Sequence, residues 1–244
     1  SISQICHERG VLLHTDATQA FGKIQIDVLD LGVDFLSASG HKIYGPKGVG
    51  ILFFKKEHRK LLQIKDSNRE VEFGVRSGTI PVPLCVGMGM ASHIASLEMS
   101  DDLSRISILR DRLIRGITSQ LEEIHINGSL ENSYPGITNI SFRGCEGEAL
   151  MMESPRICVS SGSACTSNKL SISHVLASMG ITPDIAQSSI RISLGKYTSE
   201  NEVDIALEDL VNATNKLRDM SPVWEMIKSE IDIESIFEGS SCRR

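Results

Sequence analysis

The stretch SASGHKIYGPKGVG, from Ser37 to Gly50, places Lys42 among small and turn-forming residues directly after an apolar run. Val33 to Ser37 predicts a buried strand, and the glycines and Pro46 predict a tight loop before the next strand, Val49 to Phe54. An amine held at a strand end and partly shielded from water can lose its proton near neutral pH and attack a carbonyl. Taken alone, however, the stretch is more typical of a solvated loop lysine.

A second apolar run, Val11 to Asp16, ends in an acid and favours a reactive Lys42 over a solvated loop lysine. One strand-to-strand crossover fits between Asp16 and Lys42, so both are predicted at the carboxyl edges of nearby strands, where open α/β sheets bind ligands. Pyridoxal phosphate needs this pair, because a lysine forms its Schiff base and a carboxylate keeps its ring nitrogen protonated. Ser39 and the backbone amides of the turn could hold the phosphate.

Five motifs follow one another in the order HTDATQ, SASGHKIYGPKGVG, RSGT, SSGSACTS and SSIRISLG. Together they resemble the cysteine desulfurases of the NifS/IscS type, which are class-V aminotransferase-like enzymes of pyridoxal-phosphate fold type I. The likeness is to the C-terminal two thirds of that family. It implies an α/β fold in which residues 1–100 are the remnant of the large-domain sheet and residues 101–244 form a small C-terminal α+β domain.

The resemblance also assigns residues to the cofactor, pyridoxal 5′-phosphate. The implied contacts are Lys42 as the Schiff-base lysine, Asp16 at the ring nitrogen, Gln19 at the phenolic oxygen, and Ser39, His41 and Thr79 at the phosphate. In the family the threonine of RSGT reaches the phosphate of the partner subunit, so Thr79 implies a homodimer with composite sites. Without the other motifs, RSGT is equally typical of a polar turn.

Two further residues are implied to act on the substrate, L-cysteine. Cys165 lies in a run of small polar residues that predicts a mobile loop, and a loop thiolate can reach a bound substrate as a nucleophile. Arg191 alternates with Ile190 and Ile192 on a predicted strand, and a guanidinium can hold a carboxylate through two hydrogen bonds. The implied products are L-alanine and a persulfide on Cys165, for iron–sulfur cluster assembly. The other five cysteines match no catalytic motif.

Composition permits this interpretation without indicating it. The chain has 244 residues, of which 41% are hydrophobic and 23% are charged, as in ordinary globular proteins. A net charge of −6 argues against nucleic acid as a partner. The spacing of the six cysteines fits neither a zinc site nor a disulfide framework, which favours a reducing compartment. No apolar run approaches the length of a membrane span, so no membrane partner is expected.

Three segments carry structural expectations. Lys55 to Arg69 is rich in charge and predicts a solvated face. Leu84 to Met99 is small and apolar and predicts a buried interdomain helix. From Ser100 onward the pattern predicts a separate amphipathic helix, capped by Ser100 or Asp101, and the domain boundary is placed there.

Other interpretations remain open. The chain fits another pyridoxal-phosphate lyase or aminotransferase of the same superfamily, although Cys165 argues against this. It also fits a catalytically incomplete binding module, since side chains at Asn68-Arg69-Glu70 replace a glycine run expected from the family. The segment Trp224 to Ile236 resembles the part of the family that docks an iron–sulfur scaffold or other sulfur acceptor. The expected location is the cytoplasm, or the mitochondrial matrix in a eukaryote.

The chain opens inside a predicted helix, Ile2 to Arg9, and the resemblance implies an upstream part with a second phosphate loop and a ring-stacking histidine. We therefore expect these 244 residues alone to be colourless and inactive, because each lost charge-assisted contact removes roughly 1.5–3 kcal/mol of cofactor binding. Absorbance and sulfide assays with and without the upstream region test this. A yellow, active chain without that region would contradict it.

Overall fold

The computed structural model describes residues 1–62, 70–161 and 173–229. Contacts between Cα atoms divide the chain into two compact units, one from Ser1 to Leu103 and one from Ser104 onward. The division falls inside helix α3, Val82–Gln120. The largest sheet of the first unit has three strands, and the sheet of the second unit has four.

The first unit is built on a mixed sheet in the order β1-β2-β3, formed by His14–Asp16, Phe35–Ser39 and Gly50–Phe54. β1 and β2 are parallel, whereas β3 is antiparallel to β2. All three predicted strands are present but begin later than predicted, because an apolar run indicates burial rather than backbone pairing. Val33, for example, is buried in the core ahead of β2.

The remaining elements of the first unit are short. They are helices α1 (Ile2–Glu8) and α2 (Val28–Leu31), 3₁₀ turns Gly40–Ile43, Lys56–Leu62 and Glu72–Gly74, and the hairpin of β4 (Glu70–Val71) with β5 (Arg76–Ser77). Ser1 caps α1 by accepting a hydrogen bond from the Gln4 amide. Gly10 follows α1 with φ of +65°, the left-handed conformation that glycine adopts most readily. Asn68 and Arg69 lie outside the described residues.

Asp34 ties the amino ends of β1 and β2 together. Its side chain is only 4% exposed, accepts hydrogen bonds from the Leu13 amide and the Lys55 ammonium at 2.8 Å each, and lies 3.2 Å from His58 Nε2. The hydrogen bonds from Lys55 and Leu13 hold the pKa of this carboxyl well below its usual range. The predicted solvated face is therefore wrong for Lys55, which neutralises a buried carboxylate.

Helix α3 differs from the prediction in two ways. It is one helix of 39 residues, not two, because no glycine or proline interrupts the sequence between Gly89 and Gly116. The predicted burial of Leu84 to Met99 is also wrong. Several apolar side chains of this stretch, spaced along one face, are mostly or substantially exposed: Val86 by 65%, Met90 by 57%, Ile94 by 41% and Leu97 by 70%. Small, apolar composition predicted burial, but no described residue covers this face.

By length and composition alone, α3 is also long and apolar enough to cross a membrane. The expectation that no segment approaches a membrane span is thus wrong for this helix. Core helices of soluble proteins pass the same test. The later residues of α3, including Leu109, Leu113 and Ile117, are buried in the core of the second unit, whereas the apolar stretch is mostly exposed.

The second unit has an antiparallel sheet in the order β6-β7-β9-β8, formed by Ile124–Asn127, Ile137–Phe142, Ser189–Ser193 and Ser160–Ser161. The sequence predicts strands over Ile124–Asn127, Ile137–Phe142 and Ile157–Ser160. The first two match β6 and β7, whereas the third forms only at its end. The helices are α4 (Gly147–Glu153), α5 (His174–Ser178), α6 (Pro183–Gln187), α7 (Glu200–Asp219) and α8 (Pro222–Lys228). The run Ser199-Glu200-Asn201-Glu202 predicts a capping box, and α7 begins at that box.

The core of the second unit lies between one face of this sheet and the helices. Buried apolar residues come from α3, the central strands and α7, including Leu113, Phe142, Ile190 and Leu210. Arg218, only 4% exposed, lies beside this core and donates hydrogen bonds to the carbonyl oxygens of Glu122 and Arg143. A buried guanidinium thus supplies donors to one carbonyl just after α3 and to another just after β7.

We predict that Asp34→Asn destabilises the protein by roughly 3–5 kcal/mol, because it leaves the Lys55 charge without its buried partner. Urea unfolding measures this, with Asp30→Asn, an exposed acid of α2, as the matched control. Because folding lowers the pKa of Asp34, its ionised side chain adds to the free energy of unfolding. This contribution is complete above pH 3.8, the ordinary carboxyl pKa, and declines as the pH falls below that value. Equal stabilities of the two variants at pH 7 would contradict this account.

Candidate functional site

The parallel pairing of β1 and β2 brings their carboxyl ends to one edge of the sheet. Asp16 is the last residue of β1 and lies opposite Ser37 of β2. β2 then ends at Ser39 and leads directly into the 3₁₀ turn that carries His41 and Lys42. The structure therefore places Asp16, Ser39, His41 and Lys42 along the same edge of the first unit.

Asp16 is held as an anion. Its Oδ1 accepts a hydrogen bond from the Thr18 amide at 2.9 Å. The Thr18 side chain and amide both lower the pKa of Asp16, and His14 adds a smaller effect of the same sign. Sequence reasoning missed His14, whose Nε2 lies 3.1 Å from Ser37 Oγ. The signal was its position two residues before Asp16 on the same strand, where side chains share one face.

A second lysine lies beside Lys42 and was also missed. Lys23 donates a hydrogen bond to Gln19 Oε1 at 3.3 Å. Burial, and then the positive charge of Lys42, lower the pKa of Lys23. The structure thus brings Gln19, Lys23 and Lys42 together. The sequence did hold a sign of this, because Lys23 lies in the turn that follows Asp16 at the carboxyl end of β1.

Ser39 and His41 form a hydrogen-bonded pair, with Ser39 Oγ 2.6 Å from His41 Nδ1. The His41 ring is exposed, as are the side chains of Asp16 and Gln19. This edge therefore offers hydroxyl, imidazole and ammonium groups to a ligand from solvent, together with one carboxylate.

Close backbone packing fixes the loop that carries Lys42. A Cβ atom at Gly45 would lie 2.9 Å from the Gly40 carbonyl oxygen, and one at Gly50 would lie 2.6 Å from that of Ala38. Such distances exclude any side chain at either position. Directly before Gly45, Tyr44 adopts φ of +63°, the left-handed region that non-glycine residues rarely enter. The glycines of the quoted stretch therefore allow this backbone path.

Thr79 lies apart from this group in the described contacts. It is exposed and follows β5, and its carbonyl oxygen accepts a hydrogen bond from Arg76 at 3.4 Å. Among the described residues, no hydrogen bond links Thr79 to Ser39, His41 or Lys42.

Arg191 belongs to the second unit, at the middle of β9. Its side chain is exposed, whereas Ile190 and Ile192 on either side are buried, so the strand presents Arg191 on its polar face. Within residues 1–62, 70–161 and 173–229, its guanidinium has no hydrogen-bond or ion-pair partner. An exposed guanidinium of this kind is available to an anionic ligand.

Cys165 lies outside the described residues. Of the cysteines that are described, Cys145 is buried, and burial raises the pKa of its thiol. Cys158 is exposed, and Cys6 and Cys85 are half-buried.

A cavity of about 250 Å³ in the second unit contains none of the predicted site residues. Its walls include Arg143, Cys145, Asp184 and Val223. Arg143 is already paired with Glu123 at 3.1 Å and with Asp184 at 3.2 Å. Arg143 is thus already paired within the chain, and none of the residues predicted to act on a cofactor or substrate lines this cavity.

Comparison with known proteins gives the family. Residues 1–206 match the family described as aminotransferase class-V. A probable mitochondrial cysteine desulfurase of Dictyostelium discoideum is 49% identical over 96% of this chain and 52% of its own length. Cysteine desulfurase IscS of Pectobacterium atrosepticum is 48% identical over 97% of this chain and 58% of its own length. A solved NifS-like protein superposes with a TM-score of 0.76 at 34% identity, over 88% of this chain and 56% of its own.

The chain thus spans about half the length of the curated relatives it matches. The NifS/IscS resemblance and the predicted fold class are both confirmed. The chain belongs to the aminotransferase class-V family of pyridoxal-phosphate enzymes and has their fold type I architecture.

Proposed function

We propose that this chain carries the lysine, aspartate, arginine and cysteine of a cysteine desulfurase, which converts L-cysteine to L-alanine and a protein-bound persulfide. The observation that carries the proposal is the placement of anionic Asp16 and Lys42 at one edge formed by parallel strands. The names of the relatives, at 48–49% identity, support this reaction over others of the family.

The residues at this edge fit pyridoxal 5′-phosphate. An anionic Asp16 suits a protonated ring nitrogen, and Ser39 and His41 offer donors for a phosphate. Gln19 provides a polar group for the phenolic oxygen, and Thr79 would serve the phosphate of a partner subunit. When bound, the cofactor supplies a carbonyl carbon for Lys42 and an electron sink for bonds at the substrate.

Lys42 has two roles in this proposal. Its Nζ holds the cofactor before substrate arrives and then carries protons to and from the substrate as acid and base. Lys23, whose pKa is lowered by burial and by the charge of Lys42, adds a second amine beside it. Arg191 holds the substrate α-carboxylate through two parallel hydrogen bonds.

Cys165 carries the sulfur chemistry. Its thiolate attacks the sulfur atom of the bound cysteine, an S–S bond forms, and the C–S bond of the substrate breaks. The electron pair of the C–S bond stays on the substrate carbon, which takes up a proton to give L-alanine. The second sulfur remains on Cys165 as a persulfide, ready for transfer to an acceptor thiol.

The wider setting is also proposed. We place a cofactor-binding large domain over residues 1–100 and a small domain over 101–244, in a homodimer in which Thr79 crosses to the partner subunit. The acceptor is an iron–sulfur scaffold or another sulfur carrier that binds near the C-terminal region. Relatives named as bacterial and mitochondrial enzymes suit a location in the cytoplasm or the mitochondrial matrix.

In protein that includes the upstream region, we predict that Lys42→Ala abolishes the borohydride-reducible bond to the cofactor and all sulfide release, because the turn Gly40–Ile43 then carries no amine. Peptide mass mapping after reduction identifies the modified lysine, and thermal unfolding checks the fold. Lys47→Ala, an exposed lysine of the same loop, is the control and keeps the wild-type behaviour. Reduction of the cofactor onto any other lysine in the wild type would overturn the assignment.

In the same protein with its upstream region, we also predict that Cys165→Ser releases sulfide only at the level of a buffer blank while still binding cofactor and L-cysteine, because a hydroxyl cannot accept the sulfur. Sulfide release and substrate-induced changes in absorbance measure the two effects separately. Cys158→Ser, an exposed cysteine that the mechanism does not use, is the matched control. Undiminished sulfide release by Cys165→Ser would favour a lyase that expels sulfide without capturing it.

A further inference from the structure

A row of polar side chains crosses the four-stranded sheet at the level of Arg191. Asn127 of β6 lies opposite Asn139 of β7, Asn139 lies opposite Arg191 of β9, and Arg191 lies opposite Ser160 of β8. Residues directly opposite on neighbouring strands project from the same face with Cβ atoms about 4.5–5.5 Å apart. Asn139 and Arg191 are therefore adjacent on the face that presents the guanidinium.

A chain of hydrogen bonds fixes how the Asn139 amide is oriented. Ser141 Oγ lies 2.7 Å from the Ile185 carbonyl oxygen, which can only accept, so the Ser141 hydroxyl donates its proton there. The Ser141 oxygen then accepts from Asn127 Nδ2 at 2.8 Å. The same Nδ2 donates its other hydrogen to Asn139 Oδ1 at 2.6 Å. The backbone carbonyl thus sets the direction of every bond in the chain.

This direction leaves donors at Asn139. Since Asn139 Oδ1 faces Asn127 on β6, Asn139 Nδ2 lies on the opposite side of the amide group, away from β6. Among the described residues, neither this Nδ2 nor the Arg191 guanidinium has a hydrogen-bond partner. Two unused donor groups with one net positive charge therefore stand side by side on the sheet.

We propose that Asn139 is a second binding residue for the substrate carboxylate, next to Arg191. The proposal rests on the proposed function, in which Arg191 binds that carboxylate. A carboxylate has about four lone-pair sites, so an arginine fork leaves acceptor capacity for one more N–H donor. Asn127 and Ser141 are positioning residues, because they set the orientation of the Asn139 amide without touching the substrate.

Substitutions at Asn139 and Asn127 test the two parts of this proposal in the cofactor-loaded protein that includes the upstream region. Asn139→Ala removes the donor, and we expect KM for L-cysteine to rise roughly tenfold with kcat little changed, since one charge-assisted hydrogen bond is lost. Asn127→Asp places an acceptor where a donor was, so the Asn139 amide turns its Nδ2 toward residue 127. The same rise in KM is then expected from a residue outside the substrate contacts.

Equilibrium binding supplies a readout independent of turnover. By calorimetry, both variants should bind L-alanine about tenfold more weakly than the wild type, while ethylamine, which lacks the carboxylate, should bind them equally well. Asn212→Asp, an exposed asparagine of α7, carries the same charge change as Asn127→Asp and should leave L-alanine affinity unchanged. Thermal unfolding identifies any variant that has lost its fold, and Asn139→Asp, which preserves shape, then replaces Asn139→Ala.

The outcomes separate this proposal from the proposed function. If folded Asn139→Ala and Asn139→Asp bind L-alanine as the wild type does, the proposed role of Asn139 is overturned. If Arg191→Lys nevertheless binds L-alanine more weakly, the carboxylate site at Arg191 stands. If the L-alanine affinity of Arg191→Lys is unchanged as well, the roles of Asn139 and of Arg191 are both overturned. Wild-type affinity in Asn127→Asp alone overturns the positioning role of Asn127 and Ser141.

Discussion

The buried carboxylate of Asp34 is the constraint on which the geometry of the first unit depends. Its side chain accepts from the Leu13 amide, its own amide donates to the Leu13 carbonyl, and its carbonyl accepts from the Lys55 amide. One residue thus joins the amino ends of β1 and β2 to the segment that follows β3. The opposite ends of β1 and β2 are where Asp16 and Lys42 lie, so the alignment of these two residues is set at the far edge of the sheet.

The second unit has a comparable dependence of side-chain chemistry on backbone placement. The Ile185 carbonyl belongs to α6, and its position above β7 decides which atom of Asn139 faces Arg191. The donor and acceptor character of the polar face is therefore a consequence of helix packing as well as of residue type. A shift of α6 would change that character without any change in sequence on the strands.

Positions could be predicted best for residues that lie at the ends of strands and helices. Asp16 could be placed because it ends an apolar run, and Lys42 because it lies in the turn after the next such run. The start of α7 could be placed because Ser199 and Glu202 form a capping box. Asp34 could not be placed, since one acid within an apolar run gives no sign of its partner Lys55, which follows β3. The Asn139 and Arg191 pair depends on strand register, which one sequence does not reveal. The exposed face of α3 was missed because composition indicates a tendency toward burial and not whether a covering element is present.

Tyr44 has a consequence for the loop around Lys42. A non-glycine residue in the left-handed region raises the free energy by about 1–2 kcal/mol, and close contacts at Gly45 and Gly50 hold the chain there. This loop therefore loses its conformational entropy during folding, before any ligand binds. A ligand that meets Lys42 finds backbone torsions already set, so little of its binding free energy is spent on ordering the loop.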